Sequence, residues 1–362
     1  MKRRLQLAVG VAVSLGFLWL AIQGLELTEV GRALAGASYG WLVPALALYF
    51  AGVWVRALRW HQLLLPVASL SGARLFPVVV IGYMANNILP ARLGELARCY
   101  VLRRRDGVSP SAALGTVLLE RVMDGLTMLA FMAATLPLLG FSEFLFRLML
   151  GTAALFGVAG AVLLVMAVRP DLTTALTRAV TRPLPRGVAE RLQALVVSFC
   201  AGLASLGGLR ATLRVFGLSC LAWLLEAGMY YVLMFAFPLR PSFPLAMLTT
   251  AVANLGTLIP SSPGYVGVFD FLGRSVLAQF GVPEAAALAY VLVVHAALIV
   301  PVSLLGLGYA WREGVLGWIT RAGGAPAASS SRADGTAANR GPAPPRGSAS
   351  TPGADAVEVG SV

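Results

Sequence analysis

The residues of this sequence best suited to do chemistry are charged side chains placed deep inside apolar stretches. Glu120, Arg121 and Asp124 lie eight to twelve residues into an apolar stretch that begins near Ala112. In a helix this is roughly 12 to 20 Å from the start, at about 1.5 Å per residue. Glu120 and Asp124 share a helix face, and Arg121 can pair with Asp124 or reach Glu95 in the preceding segment. A structural ion-pair lock and a ligand contact are equal alternatives for this cluster.

Two apolar segments are interrupted by proline, and both interruptions predict a site for an anion. Residues 75–89 lead into Pro90, and residues 243–280 are broken at 259–264, which contains Pro263. Proline suits the first position of a helix, and the free amides of a helix N-terminus attract anions. Two half-helices starting at depth would therefore point at one place. The predicted substrate-binding residues are Asn87, Pro90, Arg92, Glu95, Arg98, Glu120, Arg121, Asp124, Asn254, Ser262, Pro263, Gly264 and Gly267.

Three further polar residues are candidates for gating or proton coupling. Glu226 is central in an apolar stretch, Asp270 follows the second break, and His295 lies in the last long apolar stretch. Plain interhelical hydrogen bonds are the alternative for each of them.

The sequence predicts no catalytic residue, no metal site and no cofactor. The motif H-E-x-x-H is absent, and Cys99, Cys200 and Cys220 lack metal-ligand spacing. Lys2 is the only lysine, which excludes a P-loop and a buried Schiff base. A role other than enzymatic catalysis is therefore expected.

The composition predicts a polytopic membrane protein. The 362 residues are 58% hydrophobic and 12% charged, with a mean hydropathy of +0.80, whereas soluble domains have about 25% charged residues. The net charge of +12 comes from basic residues beside apolar runs, where the positive-inside rule explains them without nucleic acid.

Six segments are long enough, or nearly so, to cross a bilayer. They are residues 5–22, 41–55, 112–141, 148–168, 215–237 and 285–310. Arg56 and Arg59 are expected to snorkel from the short second span. Grouping the basic residues on one side puts both termini in the cytoplasm. Residues 192–208 either lie on the membrane surface or cross it, and 321–362 have the composition of a disordered tail.

The sequence also contains an internal repeat. Residues 107–121 and 281–295 agree at seven of fifteen positions without gaps, at an offset of 174, which aligns His295 with Arg121. The two copies span about 75–141 and 243–311, and the odd number of spans between them makes the repeat inverted. Inverted repeats with broken helices are typical of transporters with a substrate site near the midplane.

Four motifs resemble those of one known family. They are Arg56-x-x-Arg59-Trp60, Asn87-x-x-Pro90-x-Arg92-x-Gly94-Glu95-x-x-Arg98, Glu120-Arg121-x-x-Asp124 and Ile259-Pro260-x-Ser-Pro263-Gly264-x-x-Gly267. The chain resembles the flippase-like transmembrane domain of bacterial lysylphosphatidylglycerol synthases. The resemblance implies a helical inner-membrane domain that moves a lipid between leaflets. The soluble aminoacyl-transfer part does not follow residue 312, so lysyl transfer is not expected.

Together these observations predict an all-α polytopic membrane protein of about six spans and two re-entrant helical hairpins, with the membrane domain at 1–320. The predicted function is translocation of an anionic or modified lipid headgroup in the bacterial cytoplasmic membrane. The alternative is a membrane scaffold or regulator of a lipid-modifying enzyme. Membrane lipids are the expected partners, nucleic acid is not, and a homodimer is left open.

Overall fold

In the computed structural model, the chain is described over residues 2–89, 92–140, 142–204 and 208–317, with side chains from residue 10 onward. Within these ranges every regular element is helical and no strand occurs. The α-helices are α1 Lys2–Ile22, α2 Leu27–Ala35, α3 Leu42–Leu64, α4 Gly72–Ile88, α5 Leu93–Asp106, α6 Pro110–Leu139, α7 Glu143–Val168, α8 Pro170–Thr181, α9 Arg186–Leu203, α10 Leu209–Met234, α11 Phe243–Gly256, α12 Val268–Gln279 and α13 Glu284–Arg312. Pro90 and the predicted tail at 321–362 lie outside the described residues.

Five described helices are long and apolar enough to cross a membrane, and they correspond to five of the six predicted spans. They are α3 with the turn before it, α6, α7, α10 and α13. The predicted first span falls in α1. Its residues 10–22 and α2, which are bent from each other by 83°, are apolar enough as a pair to make a sixth span. The fold class predicted from composition is therefore confirmed. Neither α8 nor α9 meets the same criteria, although α9 contains most of the segment left open by the sequence.

The two proline-containing breaks each contain residues with a left-handed backbone. Arg92 has φ 53° immediately before α5. In the second break Gly264, Tyr265 and Gly267 have φ values of 74°, 59° and 89°. Such residues stop a right-handed helix, and for the non-glycine Arg92 and Tyr265 this backbone is unusual. They therefore keep α5 and α12 from starting earlier and set the directions of these two helices.

Each break joins two helices that pack against each other as a hairpin. In the first hairpin, α4 and α5 touch backbone to backbone: a Cβ on Gly94 would lie 2.0 Å from the Gly82 carbonyl oxygen. In the second, a Cβ on Gly256 of α11 would meet the Leu272 side chain of α12 at 2.3 Å. Glycine is therefore required for the close approach of α4 and α5 in particular.

Each hairpin packs against the long helix of the other repeat copy. Helix α4 lies against α13, where a Cβ on Gly306 would be 2.4 Å from the Met84 side chain, and α11 lies against α6. The helices that precede the hairpins, α3 and α10, pack against each other. Each hairpin's first helix thus contacts the long helix of the other copy, an exchange that matches the repeat seen in the sequence.

The prediction that Arg56 and Arg59 snorkel from a short span is wrong. Helix α3 continues to Leu64, so both arginines lie within it, and they are 3% and 0% exposed. They are buried because α6 and α10 supply carboxylates to them, as described next.

Candidate functional site

Arg59 is fully buried at the meeting point of α3, α6 and α10. Its Nη1 donates to Asp124 Oδ1 at 2.5 Å and to Ser219 Oγ at 2.8 Å, and its Nη2 donates to Glu120 Oε1 at 2.5 Å. Both carboxylates belong to α6, where the i,i+4 spacing places them on one face. A buried cation is tolerated only with such close partners, so these bonds hold α3 against α6.

The first hairpin is tied to the same carboxylates. Arg98 Nη2 of α5 lies 2.9 Å from Glu120 Oε2, and its guanidinium lies 4.7 Å from the centre of the Trp60 ring. Arg121 Nη2 is 3.3 Å from Asp124 Oδ2, and Arg121 Nε is 3.6 Å from Glu95 Oε1. Both pairs predicted for Arg121 are therefore present. We call this set the ionic cluster: Arg59, Arg98, Arg121, Glu95, Glu120 and Asp124.

A second buried ion pair lies beside the ionic cluster. Arg56 Nη2 of α3 donates to Glu226 Oε2 of α10 at 2.7 Å, and its guanidinium stacks 4.5 Å from the Trp223 ring centre. Asn254 Nδ2 of α11 lies 3.3 Å from Glu226 Oε1. The Trp223 indole donates to Asp124 Oδ1 at 2.8 Å, which connects the pair to the cluster.

The two hairpin tips meet through Arg92. Its Nη2 donates to Thr257 Oγ1, at the end of α11, over 2.5 Å. Its guanidinium also lies 5.5 Å from the centre of the Tyr265 ring in the second tip. Within the described residues Arg92 has no carboxylate within 4.0 Å, in contrast to Arg56, Arg59, Arg98 and Arg121.

The second tip is held by a hydrogen-bonded histidine. His295 of α13 is 2.8 Å from Asp270 Oδ1 through Nδ1 and 2.8 Å from the Gly264 carbonyl through Nε2. The other Asp270 oxygen accepts from the Gly267 amide at 2.9 Å. His295 and Asp270 therefore hold the backbone of the second break at Gly264 and at Gly267.

These groups surround one cavity of about 200 Å³. Its charged lining is Arg56, Arg92, Arg121, Asp124 and Glu226. Its uncharged polar lining includes Tyr83, Asn86, Asn87, Asn254, Thr257 and Tyr265, together with His295. The cavity thus lies where both hairpins, α3, α6, α10 and α13 converge.

The structure brings together most of the predicted site residues. Asn87, Arg92, Arg121, Asp124, Asn254, Glu226 and His295 line the cavity, while Glu95, Arg98 and Glu120 stand behind it in the ionic cluster. Ser262 instead bonds to Ser14 of α1, through a 2.7 Å contact between the two hydroxyls. Gly264 and Gly267 act through their backbone on His295 and Asp270.

The second half-helix does not start where the sequence predicted it. The turn that begins at Pro263 ends at Tyr265, and α12 begins at Val268, because left-handed residues intervene. The Gly267 amide donates a hydrogen bond to Asp270, and the Gly94 amide of α5 donates one to the Asn86 side chain at 2.8 Å. These helix-start amides are thus already bonded, so the positive charge that faces the cavity comes from arginine side chains.

Four residues of the site are not predicted from the sequence: Arg56, Arg59, Trp223 and Tyr265. The signal for the two arginines was present: they are three residues apart on one helix face and directly follow an apolar run. A longer span would have placed them inside the membrane. Trp223 and Tyr265 carry no sequence signal of their own, since their role depends on which arginine packs over them.

This fold and site define a multi-pass helical membrane protein with a charged cavity between two broken-helix hairpins. Residues 7–306 match the family described as the lysylphosphatidylglycerol synthase TM region, and the chain belongs to that family.

Three similar proteins come from archaea. The chain is 24% identical to "Glycosyltransferase AglD" of Haloferax volcanii over 81% of this chain and 52% of the relative. It is 24% and 27% identical to two proteins of Methanothermobacter thermautotrophicus named "UPF0104 membrane protein", over 71% and 67% of this chain and 78% and 76% of the relatives. This chain thus spans about half the length of the Haloferax protein and about three quarters of the other two.

Proposed function

We propose that this protein moves a lipid with an anionic headgroup between the two leaflets of the bacterial cytoplasmic membrane. The headgroup enters the cavity between the hairpin tips, and the acyl chains stay in the lipid. The protein acts as a transporter, not an enzyme. The glycosyl transfer in the name of the Haloferax relative is not carried over, because the match covers only about half of that protein.

The observation that carries this proposal is Arg92. It lines the cavity at the contact between the two hairpin tips, and within the described residues it lacks a carboxylate partner. A charge inside a membrane protein is costly, and such residues usually serve a substrate or ion path. A phosphate group can accept two parallel hydrogen bonds from a guanidinium through two of its oxygens, so a lipid phosphate would satisfy Arg92.

Arg121 of α6 supports the same function. It lines the cavity, and its contacts to carboxylates are long, at 3.3, 3.6 and 3.8 Å. Its Nε is buried without a hydrogen-bond partner. Arg121 can therefore contribute to a phosphate without first breaking a short ion pair.

The competing function is a membrane scaffold or regulator, and the ionic cluster favours it. Arg59, Glu120 and Asp124 form a short, closed set of bonds that stabilises the fold without a ligand. A scaffold does not require Arg92 to lack a counter-ion, and for this reason we favour translocation.

Transport by reconstituted protein tests the proposal. Phosphatidylglycerol labelled on a short acyl chain is placed in proteoliposomes, and dithionite removes the label that reaches the outer leaflet. We expect the protein to accelerate exchange and Arg92→Gln to lower the rate about tenfold or more, through loss of a charge-assisted contact. The matched control is Arg147→Gln, because Arg147 is exposed on α7 and pairs only with Glu143 among the described residues.

The outcomes separate the two functions. An Arg92→Gln protein that folds and transports at the wild-type rate would reject Arg92 as the phosphate site. Wild-type protein that moves no anionic lipid at all would favour the scaffold.

A further inference from the structure

The charges around the cavity balance except for one. The ionic cluster contains three arginines and three carboxylates, and Arg56 is matched by Glu226. Among the described residues around the cavity, Arg92 is the cation left over. The cavity therefore has an excess of about one positive charge, provided that the remaining titratable pair is neutral.

That pair is His295 with Asp270, and its hydrogen bonds fix its total charge. The Gly264 carbonyl only accepts, so Nε2 must carry a proton. The 2.8 Å contact between Nδ1 and Asp270 needs a second proton between them. The pair is then either imidazolium with carboxylate or neutral imidazole with carboxylic acid, and its sum is zero in both forms. Phe269 stacks on the ring and adds no charge.

A single excess positive charge selects among headgroups by their net charge. A phosphodiester carries one negative charge and would bring the site to neutrality, which is the state of lowest cost within a membrane. A phosphomonoester carries about −1.5 to −2 at pH 7 and would leave excess negative charge. A headgroup with a net positive charge would face Arg92 without compensation.

The uncharged polar side chains of the cavity indicate which groups the lipid headgroup carries besides its phosphate. Asn86 Oδ1, Asn87 Nδ2 and Asn254 Nδ2 are bonded to protein groups. Their other amide atoms, and the Tyr83 hydroxyl, have no hydrogen-bond partner among residues of the described ranges, and all four residues line the cavity. The free amide atoms include both donors and acceptors, a combination that hydroxyl groups satisfy and a quaternary amine does not.

The size of the cavity limits the headgroup. At about 200 Å³ it is smaller than the roughly 300 to 1,000 Å³ of pockets that enclose drug-sized ligands. It accommodates a phosphate with a compact polar group, while the acyl chains remain outside.

We infer that the lipid this protein translocates carries one phosphodiester, no further net charge, and a compact headgroup that bears hydroxyl groups. This inference rests on the proposed function and specifies its substrate class. It predicts that lipids with a net cationic headgroup are poor substrates.

A panel of acyl-labelled lipids in the same proteoliposome assay tests the inference. The panel is phosphatidylglycerol, phosphatidylethanol, phosphatidic acid, phosphatidylcholine and lysyl-phosphatidylglycerol. Phosphatidylethanol keeps the phosphodiester and lacks the hydroxyl groups, so it isolates their contribution. We expect phosphatidylglycerol to move fastest, phosphatidylethanol more slowly, and the other three about tenfold more slowly or worse.

A charge-neutralising variant tests the origin of the preference. Thr257→Asp introduces a carboxylate at the side chain that Arg92 contacts at 2.5 Å. We expect it to abolish the preference for phosphatidylglycerol over phosphatidylcholine, because the excess charge is gone. The matched control, Thr174→Asp, makes the same change at a half-buried residue of α8 outside the cavity lining and should keep the preference.

Each outcome bears on a different claim. Wild-type protein that moves lysyl-phosphatidylglycerol or phosphatidylcholine as fast as phosphatidylglycerol would overturn the substrate class and leave translocation intact. Equal rates for phosphatidylglycerol and phosphatidylethanol would overturn the hydroxyl requirement. No movement of any lipid would reject the proposed function itself. Because the panel uses wild-type protein, it remains decisive even if Thr257→Asp does not fold.

Discussion

Helices α6 and α13 occupy equivalent places in the two repeats, but they carry different polar residues. At the offset of 174, Glu120, Arg121 and Asp124 of α6 align with Val294, His295 and Leu298 of α13. Both helices pack against the second helix of their own hairpin and the first helix of the other. In each case the aligned basic residue pairs with an acid of that hairpin: Arg121 with Glu95, and His295 with Asp270.

The difference between the two halves lies in what attaches each hairpin to its long helix. Arginine stays protonated at any physiological pH, so Arg121 and its neighbours keep α5 and α3 attached to α6 through several ion pairs. The second tip is attached through the two hydrogen bonds of one residue, His295. We infer that the first half is the fixed part of the site and the second tip is its adjustable part.

The largest expected effect is on the fixed half. Glu120→Gln removes the carboxylate shared by Arg59 and Arg98, both of which remain buried. Breaking a buried pair in this way costs about 3–5 kcal/mol. We expect the free energy of unfolding in mixed micelles to fall by that amount.

The control for this variant is Glu143→Gln on α7. Both side chains of its pair with Arg147 are more than 70% exposed, so the free energy of unfolding should be unchanged. If Glu120→Gln unfolds like the wild type, the ionic cluster does not hold the first half together.

The asymmetry explains which parts of the structure could be predicted from the sequence. Spans and breaks follow from apolar length and from proline, which act locally, and Arg121 lies within reach of Asp124 on its own helix. The end of α3 could not be predicted in this way. Arg56 and Arg59 lie within a span only because Glu226, Glu120 and Asp124 of other helices neutralise them. A hydropathy profile places the end of a span at an arginine, because it contains no information about a carboxylate partner on another helix.

The start of α12 was unpredictable for a related reason. Proline at 263 satisfies the local rule for a helix start, yet Gly264, Tyr265 and Gly267 adopt left-handed backbone. That conformation is held by His295 and Asp270, of which His295 lies about thirty residues further along the chain. Long-range contacts of this kind leave little trace in a local pattern.

A smaller effect is expected from the way each hairpin is packed. Gly94→Ala places a Cβ 2.0 Å from the Gly82 carbonyl oxygen, so the α4 and α5 backbones must separate. Gly256→Ala places one 2.3 Å from the end of the flexible Leu272 side chain, which can rotate away. We expect a loss of about 1–3 kcal/mol for Gly94→Ala and a clearly smaller loss for Gly256→Ala.

The free energy of unfolding of both variants is measured in mixed micelles. Gly16→Ala is the control, because its added Cβ would meet nothing within 4 Å. Equal losses for the two hairpin variants would contradict the view that the first hairpin is the more rigid one.

The smallest expected effect is local and concerns the hydrogen bonds of the second tip. His295→Leu removes the contacts to Asp270 and to the Gly264 carbonyl. Each lost hydrogen bond is worth about 1 kcal/mol, or about a fivefold change in opening. The second tip should therefore open more often in His295→Leu than in the parent chain.

Maleimide labelling of two single-cysteine proteins measures this opening, in a chain whose Cys99, Cys200 and Cys220 are replaced. Val266→Cys reports on the second tip and Ile88→Cys on the end of α4, and both side chains are about equally exposed, at 41% and 46%. Their labelling ratio corrects for the general reactivity of the thiols. The ratio should rise when His295→Leu is added, because leucine makes neither hydrogen bond. An unchanged ratio would show that the second tip is as fixed as the first.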